Sequence, residues 1–386
     1  MKNFLGYIIA GLIPLRQLRR KVREKFLPKD IVSQSLIGHP SCLTNIVEQC
    51  SEEQQPCSTP IIEEKYLCCR GLFSYLNFED DCLRPLCCNF SAFSPKYPYK
   101  GEALSRDIVL KYLNCINDTL AREPEKCGKC AMAYYASKPQ EVSLRDFRLK
   151  EVCINPHRLW CNIKCIYCGY ASEAAISRRV KPYSVREPIE FLINAGMLGT
   201  DCIFRWGGGE STILPEFDDL ARLLCDKGYT QRMFTNGTIF SEAWAYVLSK
   251  DERTYFNISV DSGTVETYQR VHGVDRFDKV WENIKKYLTS AKNRGSFAAK
   301  YIVMACNREH SELEMFINKC LDAGVLSIEY SVDHKEVSTG LSEETLAAVA
   351  YLKAFALKHH LKCINQSFQN KSVNDIIDGY PLPKIQ

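Results

Sequence analysis

An α/β fold is predicted for most of this chain, as a partial barrel of six β/α units that follows an irregular region rich in cysteine. Two observations predict it. From about residue 149 onward, short apolar runs alternate with longer segments of helical period, which is the pattern of parallel strands joined by helices. Before residue 145, cysteines and turn-forming residues interrupt any regular period.

The elements of the barrel are predicted from these alternating runs. The predicted strands span 151–155, 202–206, 231–235, 255–260, 298–304 and 327–332. The predicted helices span 214–225, 241–249, 277–293, 311–323 and 342–359. A further helix is expected to start at Ser184, which forms a capping-box pattern with Glu187. Six units are too few for a closed barrel of eight, so we expect an open, TIM-like partial barrel.

Composition and charge limit the possible partners and compartment. The chain has 386 residues, of which 46% are hydrophobic and 25% are charged, so it can bury a core. The net charge is only +4 and the basic residues form no evident stripe, so no nucleic-acid partner is predicted. Twenty cysteines in tight pairs and triplets favour metal ligation in a reducing cytoplasm over a disulfide framework.

Changes of pattern divide the chain into four predicted segments. They are a basic amphipathic segment (1–30), a cysteine-rich domain (31–145), the partial barrel (146–340) and a C-terminal helix with a tail (341–386). The apolar run 4–13 is too short to cross a bilayer as a helix. Two interpretations of residues 1–27 stay open: a helix on the inner face of the membrane, and a solvated helix that packs on its own domain. A cleaved signal peptide is disfavoured because no small-residue cleavage site follows.

A cysteine triplet lies in the loop directly after the first predicted strand. Cys161, Cys165 and Cys168 form a C-x3-C-x2-C string. Loops at the carboxyl edge of a parallel sheet are where α/β proteins build their sites. Three thiolates can surround an iron–sulfur cubane and leave its fourth iron without a protein ligand. An iron with an open position can bind a cofactor, whereas a fully ligated cluster only transfers electrons.

The triplet, with Tyr167 before its last cysteine, resembles the motif that defines the radical S-adenosylmethionine (radical SAM) superfamily. Residues 205–211 read Arg-Trp-Gly-Gly-Gly-Glu-Ser and resemble the GGEP segment of that family, with Ser211 in place of proline. The resemblance covers about residues 149–335. It implies a [4Fe-4S] cluster on the three cysteines, S-adenosyl-L-methionine as a cofactor, and a position near the adenine for Tyr167.

The same resemblance assigns five further residues to the cofactor. Gly208 and Gly209 would let the backbone approach it closely, and Glu210 would accept a hydrogen bond from its ammonium group. Ser259 would reach its ribose or carboxylate, and Arg270 would pair with the carboxylate. Each also has a plain structural interpretation, as a glycine-rich turn, an ordinary strand or a surface arginine.

The implied reaction is cleavage of S-adenosylmethionine by the reduced cluster to a 5′-deoxyadenosyl radical, which abstracts a hydrogen atom from a substrate. A flavodoxin or ferredoxin is the expected electron donor. The sequence identifies no catalytic residue that acts on the substrate. A small molecule, a sugar or lipid-linked saccharide, and a peptide all stay open as substrates. The alternative function is a non-enzymatic iron–sulfur or zinc protein for electron transfer or scaffolding.

A second metal site is predicted in the cysteine-rich region. Cys127 and Cys130 have the spacing of a compact metal knuckle, and Cys69 and Cys88 are chosen from two vicinal pairs to complete four thiolates. Such a site would hold an auxiliary iron–sulfur cluster or a structural zinc ion. The remaining interpretation is that these cysteines only pack in the interior.

Overall fold

The computed structural model describes residues 66–85, 95–122, 133–145, 147–366 and 371–385. The predicted N-terminal segment 1–30 lies outside these residues, and so do Cys88, Cys127 and Cys130 of the predicted second metal site. Among the helices that are described, none is long and apolar enough to cross a membrane.

Twelve strands occur in the part of the chain that the structure describes. In chain order they are β1 (Tyr66–Cys69), β2 (Tyr75–Glu79), β3 (Cys82–Arg84), β4 (Tyr97–Pro98), β5 (Ala133–Ala136), β6 (Leu149–Asn155), β7 (Leu198–Trp206), β8 (Thr230–Thr235), β9 (Tyr255–Ser259), β10 (Phe297–Val303), β11 (Ser327–Val332) and β12 (Lys362–Asn365).

Eleven α-helices occur in the same residues. They are α1 (Arg106–Arg122), α2 (Glu173–Ile176), α3 (Arg186–Asn194), α4 (Phe217–Asp226), α5 (Glu242–Lys250), α6 (Val265–His272), α7 (Phe277–Ser290), α8 (His310–Ala323), α9 (His334–Thr339), α10 (Glu343–Lys358) and α11 (Lys371–Gly379).

The six strands from β6 to β11 lie side by side in chain order and pair in parallel. Helices connect each strand to the next, so the chain forms six β/α units. The sheet runs from β12 at one edge to β4 at the other and is open. The predicted α/β partial barrel is therefore confirmed. Its strands begin and end within two residues of the predicted limits, except that β7 starts four residues earlier.

The sheet extends beyond the six predicted strands at both edges. At one edge, β12 pairs in parallel with β11, within the segment that was expected to be a helix and a tail. At the other edge, β2 pairs in parallel with β6, and β3 and β4 continue the sheet in antiparallel order. The sheet therefore crosses the predicted boundary between residues 145 and 146, and the domain limits stay predictions.

The region before the barrel is more regular than predicted. Helix α1 is 17 residues long, and the side chains that it buries recur every three or four residues: Val109, Tyr112, Leu113, Ile116 and Leu120. This is the period of an amphipathic helix that packs one face on a core. The prediction of an irregular region was therefore wrong for this segment, because a regular helical period of buried apolar side chains runs through it.

Helix α3 begins two residues later than predicted, and its N-terminus is capped by a different group. The first helical residue is Arg186, and Val185 at the N-cap makes no side-chain capping bond. Instead, the Glu216 carboxylate accepts a 2.9 Å hydrogen bond from the Val185 amide and a second hydrogen bond from the Ser184 hydroxyl. The predicted capping box with Glu187 was therefore wrong, because a carboxylate distant in sequence takes its place.

The core lies between the sheet and its covering helices. Phe256 in β9 is fully buried, and its ring contacts those of Trp244, Tyr287 and Phe297. We expect Phe256→Ala to lower the free energy of unfolding by about 3–5 kcal/mol, since it removes a large buried ring and leaves a cavity. Urea unfolding followed by circular dichroism measures this loss.

Leu357→Ala is the control for this substitution. Leu357 lies on α10 and is 45% exposed, so its truncation is expected to change the free energy of unfolding by less than about 0.5 kcal/mol. Equal effects of the two substitutions would contradict the assignment of Phe256 to the core.

Candidate active site

The cysteine triplet occupies the loop between β6 and a short 3-10 turn at Gly169–Ala171, at the carboxyl edge of the sheet. Cys161, Cys165 and Cys168 are free and half-buried. All three line one cavity together with Gly208 and Gly209, which follow β7. The fold thus brings the triplet and the glycine segment together, as predicted from their positions after the first two barrel strands.

The donor set suits a cluster better than a single metal ion. Nowhere in the described ranges do three His, Cys, Asp or Glu side chains lie close enough to hold one ion. A cubane separates its thiolate ligands more widely than one tetrahedral ion does. Burial raises the pKa of the Cys161 and Cys165 thiols, and neighbouring thiols of the triplet add to the rise. Iron would offset this cost, because metal ligation favours the thiolate.

The glycine segment packs against the loop that leads into the triplet. The Glu210 amide donates a 2.8 Å hydrogen bond to the Trp160 carbonyl. A Cβ atom added to Gly209 would lie 1.7 Å from that carbonyl oxygen and 2.5 Å from the His157 carbonyl oxygen. Gly208 has a φ of +87°, which L-residues rarely adopt. Gly208 and Gly209 were predicted to let the backbone approach a ligand closely. In this structure their close contacts are with the protein's own backbone.

Glu210 has a completely buried carboxylate with four hydrogen bonds. Its Oε1 accepts from the Thr212 amide at 3.2 Å, the Thr212 hydroxyl at 2.7 Å and the Thr235 hydroxyl at 2.8 Å. Its Oε2 accepts from the Asn236 amide at 2.8 Å. Burial raises the pKa of this carboxyl group, and the hydrogen bonds oppose that rise. Glu210 therefore joins the ends of β7 and β8, and its predicted bond to the cofactor ammonium stays a prediction.

Asn236 links this carboxylate to the triplet and was not predicted as a site residue. Its side-chain amide donates to the Asn162 side-chain oxygen at 2.8 Å and to the Cys161 sulfur at 3.6 Å. Its own side-chain oxygen accepts from the amide and hydroxyl of Thr238 at 2.9 and 2.6 Å. A polar residue directly after the third barrel strand was the available signal.

Tyr167 is fixed by an acid that the sequence did not single out. Its hydroxyl donates a 2.7 Å hydrogen bond to Oδ2 of Asp261, which is fully buried directly after β9. Oδ1 of Asp261 accepts from the Ile302 amide at 2.7 Å. Burial raises the pKa of the Tyr167 hydroxyl, and the neighbouring Asp261 carboxylate adds to the rise. The ring position predicted to face the adenine is therefore set by contacts to two barrel strands.

His272 contacts the middle cysteine and is a second residue that sequence reasoning missed. Its Nε2 lies 2.9 Å from the Val260 carbonyl oxygen, which can only accept, and its Nδ1 lies 3.1 Å from the Cys165 sulfur. Burial lowers the pKa of the ring, which favours the neutral form. The neutral ring then donates a hydrogen bond from Nε2 to the Val260 carbonyl oxygen and accepts a hydrogen bond from the Cys165 thiol at Nδ1.

The remaining predicted residues lie outside the cavity lined by the triplet. Ser259 is half-buried at the end of β9, where it pairs in register with Lys300. Arg270 is exposed on α6, and its guanidinium donates to the Thr267 hydroxyl at 3.0 Å. Cys69 of the predicted second site is half-buried in β1, and its backbone exchanges two hydrogen bonds with the Gln140 side chain. The roles predicted for these three residues stay predictions.

Comparison with known proteins identifies the central part of the chain. Residues 155–320 match the Radical SAM superfamily. A "Probable GTP 3',8-cyclase" of Saccharolobus islandicus is 27% identical over 169 residues, which are 44% of this chain and 52% of that protein. A "Cysteine-type anaerobic sulfatase-maturating enzyme" of Clostridium perfringens is 32% identical over 152 residues, which are 35% of this chain and 40% of that protein.

Solved structures were also compared. SuiB of Streptococcus suis bound to S-adenosylmethionine superposes with a TM-score of 0.45 at 14% identity, over 73% of this chain and 60% of that chain. The curated relatives are matched over about half of their length or less. The match confirms the predicted resemblance for residues 155–320, and members of the matched superfamily use a [4Fe-4S] cluster and S-adenosylmethionine.

The contact at Gly209 predicts that this position tolerates no side chain. In Gly209→Ala the new methyl group overlaps the Trp160 carbonyl, so we expect a loss of about 1–3 kcal/mol of unfolding free energy, as in other overpacked sites. We also expect less iron per chain after reconstitution, because the displaced loop carries Cys161. Gly169→Ala is the matched control, since nothing lies within 4 Å of its added Cβ. Equal iron contents in the two variants would contradict this account.

The hydrogen bonds of Glu210 predict a structural role that exists without any cofactor. In Glu210→Gln an NH₂ group faces a backbone or hydroxyl donor, so we expect the cluster-free protein to lose about 1–3 kcal/mol of unfolding free energy in urea. Glu266→Gln, at an exposed position of α6, is expected to change it by less than about 0.5 kcal/mol. Unchanged stability of the Glu210 variant would leave cofactor binding as its sole role.

Proposed function

Residues 155–320 form a radical SAM domain, and on that premise we propose that the protein is an enzyme that cleaves S-adenosylmethionine reductively to start radical chemistry on a substrate. One observation carries the proposal. The three cysteines are free thiols that share a cavity with Gly208 and Gly209, inside the segment that matches the superfamily. The matched relatives are named as enzymes, which argues against a non-enzymatic electron carrier or scaffold.

In this proposal Cys161, Cys165 and Cys168 hold the [4Fe-4S] cluster. When bound, the reduced cluster supplies the electron that splits S-adenosylmethionine into methionine and a 5′-deoxyadenosyl radical, which removes a hydrogen atom from the substrate. A flavodoxin or ferredoxin would supply that electron to the protein.

The protein's own residues position the reaction. Asn236 orients Cys161 by a hydrogen bond, and the buried Glu210 carboxylate holds the Asn236 backbone. His272, the last residue of helix α6, contacts Cys165. The ring of Tyr167, whose hydroxyl donates a hydrogen bond to Asp261, is proposed to lie against the adenine. The triplet loop is thus connected to three different strand ends, which limits its movement while the cofactor binds.

The substrate lies in the barrel interior in this proposal, where Tyr167 lines both a surface cleft beside the triplet and a larger internal cavity. A small molecule, a saccharide and a peptide are the substrate classes considered. A second cluster or zinc ion at Cys69, Cys88, Cys127 and Cys130 is part of the proposal as an auxiliary site.

Formation of 5′-deoxyadenosine tests the proposal. After anaerobic reconstitution with iron and sulfide and reduction by dithionite, wild type is expected to form 5′-deoxyadenosine from S-adenosylmethionine, which chromatography detects. The triple variant Cys161→Ala, Cys165→Ala, Cys168→Ala is expected to form none, because it lacks all three ligands. Cys225→Ala removes a half-buried cysteine on α4 and is the matched control that keeps activity. Wild type no more active than the triple variant would refute the function.

A further inference from the structure

A cavity of about 580 Å³ lies within the partial barrel and is bounded by residues from both of its halves. Tyr167 forms one side, so a molecule in this cavity would lie next to the triplet loop. Lys300 and Ile302 of β10 face it, as do Ser331 of β11 and Arg205 of β7. The cavity is large enough for a small organic substrate or for the end of a longer one.

Lys300 brings a positive charge to this cavity without forming a close ion pair. Its side chain is half-buried, yet it has no acidic partner within 4 Å among the residues that the structure describes. Asp261 is near enough to feel the charge, but its carboxylate accepts hydrogen bonds from Tyr167 and Ile302. Glu329 is the register partner of Lys300 on β11. A partly desolvated ammonium group without a partner favours binding of an anion.

Two further acids, Glu329 and Asp333, lie beside Lys300 on the sheet or in the cavity lining and contact other groups. Oε2 of Glu329 accepts 2.8 Å hydrogen bonds from the Tyr255 hydroxyl and the Asn257 side-chain amide. Asp333, at the rim of the cavity, accepts from the Lys335 amide at 3.0 Å and lies 3.2 Å from Nδ1 of His334. Neither carboxylate forms an ion pair with the ammonium group within 4 Å in the described part of the chain, and Oε1 of Glu329 is buried there without a hydrogen-bond partner.

Two arginines, Arg205 and Arg232, lie on the same sheet as Lys300, and Arg205 also lines the cavity. Arg205 forms a 2.6 Å ion pair with Glu151, but its Nε is buried and makes no hydrogen bond within the described part of the chain. Arg232 is the register partner of Arg205 on β8 and is half-buried. Paired residues on adjacent strands face the same side of a sheet, so both guanidinium groups are directed to the interior.

We propose that this cavity binds a carboxylate or phosphate group of the substrate, with Lys300 as the cation that contacts it. The inference rests on the proposed function and narrows its substrate to anionic molecules. Lysine serves such groups as a point charge. The carboxylate of S-adenosylmethionine is the other source of the same chemistry, because Ser259, a predicted contact of the cofactor's ribose or carboxylate, is the register partner of Lys300.

The test uses two simple anions as probes of the reconstituted, unreduced protein. Inorganic pyrophosphate and citrate are titrated by calorimetry at constant ionic strength, with sodium chloride as the compensating salt, in the absence and presence of saturating S-adenosylmethionine. We expect wild type to bind at least one probe at a single site. We expect Lys300→Met to weaken that binding about tenfold or more, as for loss of a charge-assisted hydrogen bond.

Two further variants separate charge from structure. Lys300→Arg keeps the positive charge and is expected to keep most of the affinity. Lys285→Met removes an exposed lysine on α7 and is expected to leave the affinity unchanged. If neither probe binds to wild type, or if Lys300→Met and Lys285→Met bind alike, the proposal is overturned.

The arm with S-adenosylmethionine distinguishes the two sources of the anion. Simultaneous binding of cofactor and probe supports a substrate site, whereas strict competition assigns Lys300 to the cofactor carboxylate and overturns the proposal. Wild type that binds both the probe and S-adenosylmethionine but forms no 5′-deoxyadenosine after reduction would refute the proposed function and leave the anion site standing. The two failures are therefore distinguishable.

Discussion

The geometry of the candidate site depends on one backbone contact, between the glycine segment after β7 and the loop that leads into the triplet. The Glu210 amide bonds to the Trp160 carbonyl, and Gly209 leaves no space for a side chain beside the same carbonyl. Because Cys161 is the next residue after Trp160, the position of the first thiol follows from this contact. A hydrogen bond from Asn236 to Cys161 and one from the Cys165 thiol to His272 then fix the first and second thiols.

The fold was predictable wherever local periodicity and burial agree. Strands β6 to β11 are largely buried and appear in the sequence as short apolar runs, so they were found within a few residues. Strand β12 has four residues, of which none is fully buried, and gives no such run. Its place in the sheet comes from pairing with β11, which is a tertiary contact. The cap of α3 by Glu216 depends likewise on a residue distant in sequence.

The candidate site likewise has one part that the sequence predicts and another that only the folded structure reveals. The triplet and the glycine segment are each continuous in sequence, so their spacing was sufficient to predict that they meet. Asp261 and His272 are separated by a helix from each other and by about a hundred residues from the cysteines, and only the folded chain brings them together. The polar position of Asp261 after a strand was visible, but a single acid at a strand end carries no information about its partner.

The wall of the cavity at Lys300 is contributed partly by residues beyond the segment that matches the superfamily. The superfamily match ends at residue 320, whereas Ser331, Ile364 and Gln366 all line that cavity. Mutations in β11 and β12 can therefore reshape what the cavity accepts while the triplet loop and its contacts stay intact. In the proposed function, new selectivity can therefore evolve through substitutions in the carboxyl-terminal strands that leave the three cysteines unchanged.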